Sequence, residues 1–333
     1  MIHSRFMSTT ITLKELSKLL DVSISTISKA LNDSHEISES TKQRIREMAT
    51  LHNYQPNKLA VSLKSGKTRT IGVIIPSIQN YFFAQVLFGI EKVIADSDYN
   101  IIVSITQESL EKERKAVRTF SHGLVDGIIV ALAEETQIRK ESEHFDTAMK
   151  LKKPVVMFDR VFKDFPCDKV QVNDYQIVHD ATRQLLKSGR KQVVLVTTIQ
   201  NLSVGVSRAK GYADATPNGV QLEGTSETID TILEDYIKSH PADAIIALDE
   251  DASLAALRVT KKLKKAIPEE VAIIGYASEK MAMNLSPTLT TLNQHGTIIG
   301  QKTAKILLEK LKVGSKELTN EAVETTLESR ETS

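Results

Sequence analysis

The chain of 333 residues has one cysteine, Cys167, and no tryptophan. A lone thiol excludes an intrachain disulfide framework and any cysteine-based zinc site. No apolar run approaches the roughly 18–20 residues that a bilayer-spanning helix needs. The opening MIHSRFM has one arginine and no long apolar stretch, so it does not read as a secretory signal, and Met7 offers a second start. These absences point to the cytoplasm and away from a membrane. Signatures of catalysis are missing as well. No strand-like run is followed by G-x-G-x-x-G, and G-x-x-x-x-G-K-[ST], G-x-S-x-G and H-E-x-x-H do not occur. The eight histidines are scattered, and His179, His240 and His295 sit singly, as solvated or hydrogen-bonded residues do. Nothing asks for an enzyme, a metal or a cofactor.

An excess charge of either sign is also absent: 43 Lys and Arg face 42 Asp and Glu. The balance conceals an asymmetry. Residues 1–67 hold 10 basic and 6 acidic side chains, and the remainder holds 33 and 36. A small basic head on a slightly acidic body fits a molecule whose head alone meets phosphate. The length suggests two or three domains.

What is present begins with ITLKELSKLLDVSISTISKALN, residues 11–32. Leu13, Leu16, Leu19 and Leu20 recur at spacings of three and four and predict one apolar face of a helix. Thr12 is placed to cap it, with Glu15 completing a capping box. Asp21 and Val22 break the run. Ser23 can cap a second helix that buries Ile27, Ala30 and Leu31 and leaves Ile24, Ser25, Ser28 and Lys29 outside. Small polar and cationic side chains on such a helix suit a DNA major groove. A third helix is predicted after Ser38, with Lys42, Arg44 and Arg46 as a basic face. Pro56 then stops one helix and can open another, which runs to about Gly66 and is too short to be stable alone.

These segments carry a resemblance. Thr12-Leu13, Val22-Ser23, Thr26 to Asn32, Tyr54-x-Pro56-Asn57 with Ala60 and Leu63, and the strand Ile71 to Pro76 follow one another at the spacing of the lactose-repressor/galactose-repressor (LacI/GalR) transcription factors. The resemblance implies an all-α helix-turn-helix head at 8–55 and a hinge helix and linker at 56–68. It implies further that the α/β remainder is a two-lobed core of the periplasmic-binding-protein type with parallel sheets. It also implies a homodimer on a pseudo-palindromic operator. Ile24, Ser25 and Lys29 would face bases. Ser23, Thr26, Ser28 and Asn32 would mainly hold phosphates, and Thr12, Tyr54, Asn57, Lys58 and Ala60 complete the expected DNA-binding residues. Leu63 would wedge into the minor groove. No terminal leucine heptad follows the last strand pattern at 324–328, so a dimer is expected rather than a tetramer.

From Thr70 onward, β-branched runs alternate with helix-length segments, the pattern of parallel sheets covered on both faces. The expected first lobe takes residues 69–166 plus about 295–317, and the second 167–294 plus about 318–333. Chain crossings are expected near 165–169, 291–294 and 317–320. Ligands of such lobes bind outside the carboxyl ends of the strands. The loops there offer Asn80, Phe82 and Phe83, then Asp159 and Arg160, then Arg208 and Asp249. One of the two phenylalanines can equally be core, and Asp159 and Arg160 can equally pair with each other. Arg208 matches the family's effector-binding arginine, whose planar fork suits vicinal hydroxyls or a carboxylate. Two departures stand out. Ala277 replaces the aspartate of the family's Gly-(Tyr/Phe)-Asp, and the span from Gly211 to Asp243 reads as short, with one element clipped at Pro217-Asn218-Gly219. The reading is a repressor controlled by a sugar or sugar acid. Its alternatives are a co-repressor-dependent regulator sensing a nucleobase or partner protein, and a soluble binding protein with a vestigial head.

Overall fold

The computed structural model describes residues 11–54, 66–315 and 317–333. It divides into two compact units, Met1–Thr68 and Arg69–Ser333.

In the first unit, α1 (Leu13–Leu20), α2 (Ile24–Leu31) and α3 (Glu39–Leu51) enclose Leu16, Leu20, Ile27, Ala30, Ile45 and Ala49. Local chemistry fixes each start. Thr12 Oγ1 accepts the Glu15 N–H at 3.3 Å while Glu15 Oε2 accepts the Thr12 N–H at 2.8 Å, a complete capping box. Ser23 and Ser38 cap α2 and α3 without the reciprocal bond, their hydroxyls accepting the Thr26 and Thr41 N–H groups. Two expectations change. Leu19 is exposed, because an eight-residue helix against two neighbours buries only Leu16 and Leu20 fully. Lys42 is buried rather than part of a basic face: its ammonium meets Asp33 at 3.1 Å and Glu39 at 2.7 Å. Arg46 also holds Asp33, at 2.7 Å, and Arg44 donates to the Leu20 carbonyl at 3.2 Å, tying α3 to the end of α1.

The second unit contains two six-stranded sheets. The first has the order β11-β5-β4-β3-β1-β2, built from β1 (Thr70–Ile75), β2 (Asn100–Ile105), β3 (Gly127–Val130), β4 (Val155–Phe158), β5 (Asp168–Val172) and β11 (Asn320–Val323). All its pairs are parallel. The second has the order β12-β10-β9-β8-β6-β7, from β6 (Val193–Thr197), β7 (Val220–Glu223), β8 (Ala244–Ala247), β9 (Ala272–Gly275), β10 (Thr290–Asn293) and β12 (Thr326–Glu328). Only β12 runs antiparallel there. Central strands such as Gly127–Val130 and Ala244–Ala247 are buried throughout, as near-continuous apolar runs require.

The helices that matter for the cleft are α4 (Tyr81–Ile94), α5 (Leu110–Thr119), α6 (Glu134–Arg139), α7 (Glu143–Lys150), α8 (Asp174–Lys187), α9 (Ser203–Ala215), α10 (Ile229–Ser239), α11 (Glu250–Lys262), α12 (Glu279–Asn284) and α13 (Gly296–Val313). Helix α13 returns to the first lobe and lies against α4. Glycine permits that approach: a Cβ on Gly89 would stand 2.1 Å from the Thr297 carbonyl oxygen, and one on Gly300 would stand 2.0 Å from that of Val86.

The sheets correct the expected lobe boundaries. Strand β5 pairs with β4, so residues 167–172 belong to the first lobe and the chain crosses between Val172 and Asp174, not at 165–169. Strand β11 pairs with β5, so 318–323 also stay in the first lobe and the last crossing lies between Val323 and Thr326, not at 317–320. In both places the ladder continues past the point where the apolar pattern fades. The middle crossing falls between β10 and α13. The span from Gly211 to Asp243 is not clipped: it supplies β7 and α10, and Pro217-Asn218-Gly219 forms the bend between α9 and β7.

Candidate functional site

The second helix of the head presents Ser23, Ile24, Ser25, Lys29 and Asn32 as exposed side chains, with Thr26 and Ser28 half-buried. Several of them already have partners. Ser23 Oγ lies 2.7 Å from Ser25 Oγ and 2.8 Å from Thr26 Oγ1, and Asn32 Nδ2 donates to the Ser28 carbonyl at 2.8 Å. Lys29 is ion-paired with Glu36. Thr12 is engaged in its capping box, and Tyr54 packs half-buried against the head core. Ile24 is left as an exposed apolar residue amid hydroxyls, a surface fit for a base edge and a thymine methyl. Asn57, Lys58, Ala60 and Leu63 lie outside the described residues.

In the core, a cavity of about 100 Å³ lies between the lobes, beside a wider interlobe cleft of about 890 Å³ that Gln137, Asp174 and Ser203 help to line. The loops after β1, β4, β6, β8, β9 and β10 converge on it, and α9 closes one wall. Asn80, Phe82, Phe83, Asp159, Arg160, Arg208 and Asp249 all line it, so the structure brings every expected effector candidate to one place. They are not equivalent. Asn80 caps α4, its Oδ1 accepting the Phe82 N–H at 2.9 Å. Phe83 belongs to the first-lobe core, while Phe82 stays half-buried at the cavity, edge-on to it with centroids 5.3 Å apart. Asp249 caps α11. Its two oxygens accept from Ala252 N (2.9 Å), Thr198 N (2.7 Å), Thr198 Oγ1 (2.9 Å) and Thr197 Oγ1 (3.3 Å), which uses its lone pairs.

Two arginines face each other across the space. Arg208, only 4% exposed, donates from Nε to Asp174 Oδ1 at 2.6 Å and from Nη1 to the Leu248 carbonyl at 2.7 Å. Its guanidinium stacks 4.0 Å from the centroid of the Tyr276 ring. Its Nη2 makes no hydrogen bond among the described residues. Burial opposes the arginine's charge, but Asp174, Tyr276 and Asp159 outweigh it and raise its pKa. Arg160 places Nη1 2.8 Å from both oxygens of Glu108 and its guanidinium 5.3 Å from the Phe83 centroid. The pairing of Arg160 with Asp159 is the weaker one, at 3.9 Å.

Asp159 is the most constrained group. Its backbone is left-handed (φ +56°), a conformation that costs a non-glycine residue about 1 kcal/mol or more. Burial pushes its carboxyl up to about 6, while Arg160 pulls the other way. Asp159 Oδ1, Arg160 Nε and Tyr276 Oη are buried with no hydrogen-bond partner. Native interiors seldom leave polar atoms so, and all three belong to residues that line the cavity. Sequence reasoning missed Tyr276, Asp174 and Glu108. Tyr276 was within reach, since it closes β9 as Asp159 follows β4. Ala277 does line the cavity and adds no polar group of its own.

Residues 68–327 match the family described as periplasmic binding proteins and sugar binding domain of LacI family, and residues 12–57 match bacterial regulatory proteins, lacI family. The chain belongs to the LacI family. This LacI-family protein is thus a DNA-binding transcriptional regulator with an effector-binding core. It is 26% identical to the ribose operon repressor of Haemophilus influenzae, over 90% of this chain and 92% of that one. It is 28% identical to a LacI family transcriptional regulator from Enterococcus faecalis solved with bound ribose (TM-score 0.71, 79% of this chain, 98% of that one). The lac repressor dimer bound to operator and the anti-inducer ONPF shares the fold of this LacI-family chain, at TM-score 0.87 and 18% identity over 97% and 99% of the two chains.

Proposed function

We propose that this LacI-family regulator is a cytoplasmic repressor that binds a pseudo-palindromic operator as a dimer and releases it when a neutral monosaccharide occupies the interlobe cavity. The observation that carries the ligand class is the set of buried, unpartnered polar atoms: Asp159 Oδ1 to accept, Arg160 Nε to donate, Tyr276 Oη to do either. A polyol ring presents hydroxyls that fill both roles, and Phe82 offers a face for its C–H side. The cavity's volume corresponds to roughly seven to ten water positions, the size of one sugar ring.

Charge argues against a sugar acid. Both arginines already hold a carboxylate, Asp174 or Glu108, and Asp159 and Glu250 add acid to the lining. A ligand carboxylate would meet no uncompensated cation. The relatives named above make ribose the first sugar to try. For the head, the exposed Ile24, Ser25 and Lys29 support base reading by α2. The modest charge of one head supports two heads acting together, since phosphate contacts dominate affinity.

The test begins with selection of a binding site from random duplex DNA by the full-length protein. The complex is then titrated with D-ribose, other neutral monosaccharides and D-ribonate, read by fluorescence anisotropy. A palindromic site released by a neutral sugar and indifferent to D-ribonate is expected. Release by the acid, or a site bound without symmetry, would overturn the ligand class or the dimer respectively.

A further inference from the structure

Helix α9 carries Arg208 yet begins without a side-chain cap of its own, because Leu202 stands at its N-cap position. The missing cap comes from the opposite lobe. Gln137 of α6 accepts the Ser203 amide N–H at Oε1 (3.1 Å) and donates from Nε2 to Ser203 Oγ (2.9 Å). One side-chain amide therefore meets the first residue of α9 twice, across the cleft.

Helix α6 is itself anchored to the cavity. The Glu134 N–H donates to Glu108 Oε2 at 2.8 Å, and the same carboxylate holds Arg160. The Leu110 N–H donates to Glu135 Oε2 at 3.0 Å, fastening α6 to α5. Gln107 and Glu108 both sit at positive φ, +51° and +61°, which non-glycine residues adopt only where their surroundings hold them. A continuous set of contacts thus runs from Arg160 through Glu108 and the start of α6 to Gln137, Ser203 and the helix that carries Arg208.

We propose that Gln137 is a positioning residue of the effector site: by capping α9 from the facing lobe it latches the cleft and sets how tightly a ligand between Arg160 and Arg208 is held. Water competes for both hydrogen bonds, so the latch biases closure by about tenfold and does not lock it. A ligand that needs the closed cleft binds more weakly in proportion when that population falls. The effect on sugar affinity rests on the function proposed above; the latch itself does not.

The decisive experiment uses the ligand-free, full-length protein. Hydrogen exchange is followed by mass spectrometry over residues 201–207 in the wild type, Gln137→Ala and Gln137→Glu. The alanine variant should exchange at the start of α9 about tenfold faster. Glutamate should keep protection, because its carboxylate can accept from both Ser203 groups and is favoured at a helix N-terminus. Unchanged exchange in Gln137→Ala, or equal loss in both variants, overturns the latch. Calorimetric titration with D-ribose then reads the consequence, an affinity about tenfold lower for alanine and near wild type for glutamate. Equal affinities of wild type and Gln137→Ala overturn the positioning role. A wild type that ignores ribose counts against the sugar assignment alone, since exchange has already decided the latch.

Discussion

Replacing Arg208 by methionine, alone and together with Asp174→Leu, separates its observed role in anchoring the second lobe from its proposed role in meeting the ligand. Methionine is unbranched and of similar length, so the cavity wall keeps its bulk. The substitution leaves the Asp174 carboxylate buried without its cation at 2.6 Å and frees the Leu248 carbonyl from its 2.7 Å donor. Removing one partner of a buried pair costs about 3–5 kcal/mol, a large share of a total stability of about 5–15 kcal/mol. The loss depends on pH in a defined sense. Burial raises the Asp174 pKa even with Arg208 opposite, and the shift grows once the arginine is gone. A carboxyl whose folded pKa is raised costs stability above its unfolded value, and the cost is full above the folded pKa. Acidification from pH 7 to pH 5 should therefore narrow the gap between Arg208→Met and the wild type. Adding Asp174→Leu should recover most of the loss at pH 7 without restoring ligand binding. Urea denaturation of the full-length proteins, followed by circular dichroism at both pH values, reads all three outcomes. A single variant that loses less than about 1 kcal/mol at pH 7, or whose deficit does not change with pH, would refute the pairing argument.

Three further outcomes follow from the same structure. Asp159 faces Arg160, Asp174, Arg208 and Glu108, and ligand hydroxyls that donate to its free oxygen favour its ionised form. Affinity for D-ribose should thus fall about tenfold between pH 7 and pH 5, and Asp159→Asn should flatten that dependence in calorimetric titrations. Gly300→Ala sets a methyl against the Val86 carbonyl and should cost about 1–3 kcal/mol in urea denaturation; wild-type stability would mean that α13 and α4 can move apart freely. Leu63→Ala should abolish specific operator binding while leaving salt-sensitive non-specific binding, and equal loss of both in anisotropy titrations would remove Leu63 from the wedge role.

The cleft was legible in the sequence to the extent that strand ends were. Asn80, Asp159 and Asp249 each follow an apolar run, and the rule that ligands gather at the carboxyl ends of parallel strands assembles them without knowledge of the tertiary structure. Which of them is free to bind was not legible. Asp249 and Asn80 spend their oxygens on helix caps, whereas Asp159 keeps one open, and no local pattern separates these cases. Asp174 and Glu108 were missed because their partners, Arg208 and Arg160, lie 34 and 52 positions away along the chain. Strand β7 was missed for another reason. Val220-Gln221-Leu222-Glu223 lies at a sheet edge and is largely exposed, so it lacks the apolar continuity that betrays a central strand. Strand β11, short and largely exposed, escaped likewise, whereas the pattern at 324–328 marks β12, and the last lobe boundary shifted with β11.

The three crossings bear on how the molecule is made. The first lobe needs α13 and β11 to complete its sheet and cover α4, and both are translated after the whole of β6 to β10. A nascent chain leaving the ribosome therefore carries an unfinished first lobe, with one side of β5 unpaired, until residue 323 has emerged. The second lobe waits still longer, for β12 to close beside β10. Domain-by-domain folding during synthesis is available to the head but not to the core, whose two sheets are both completed only once residues 320–328 have emerged.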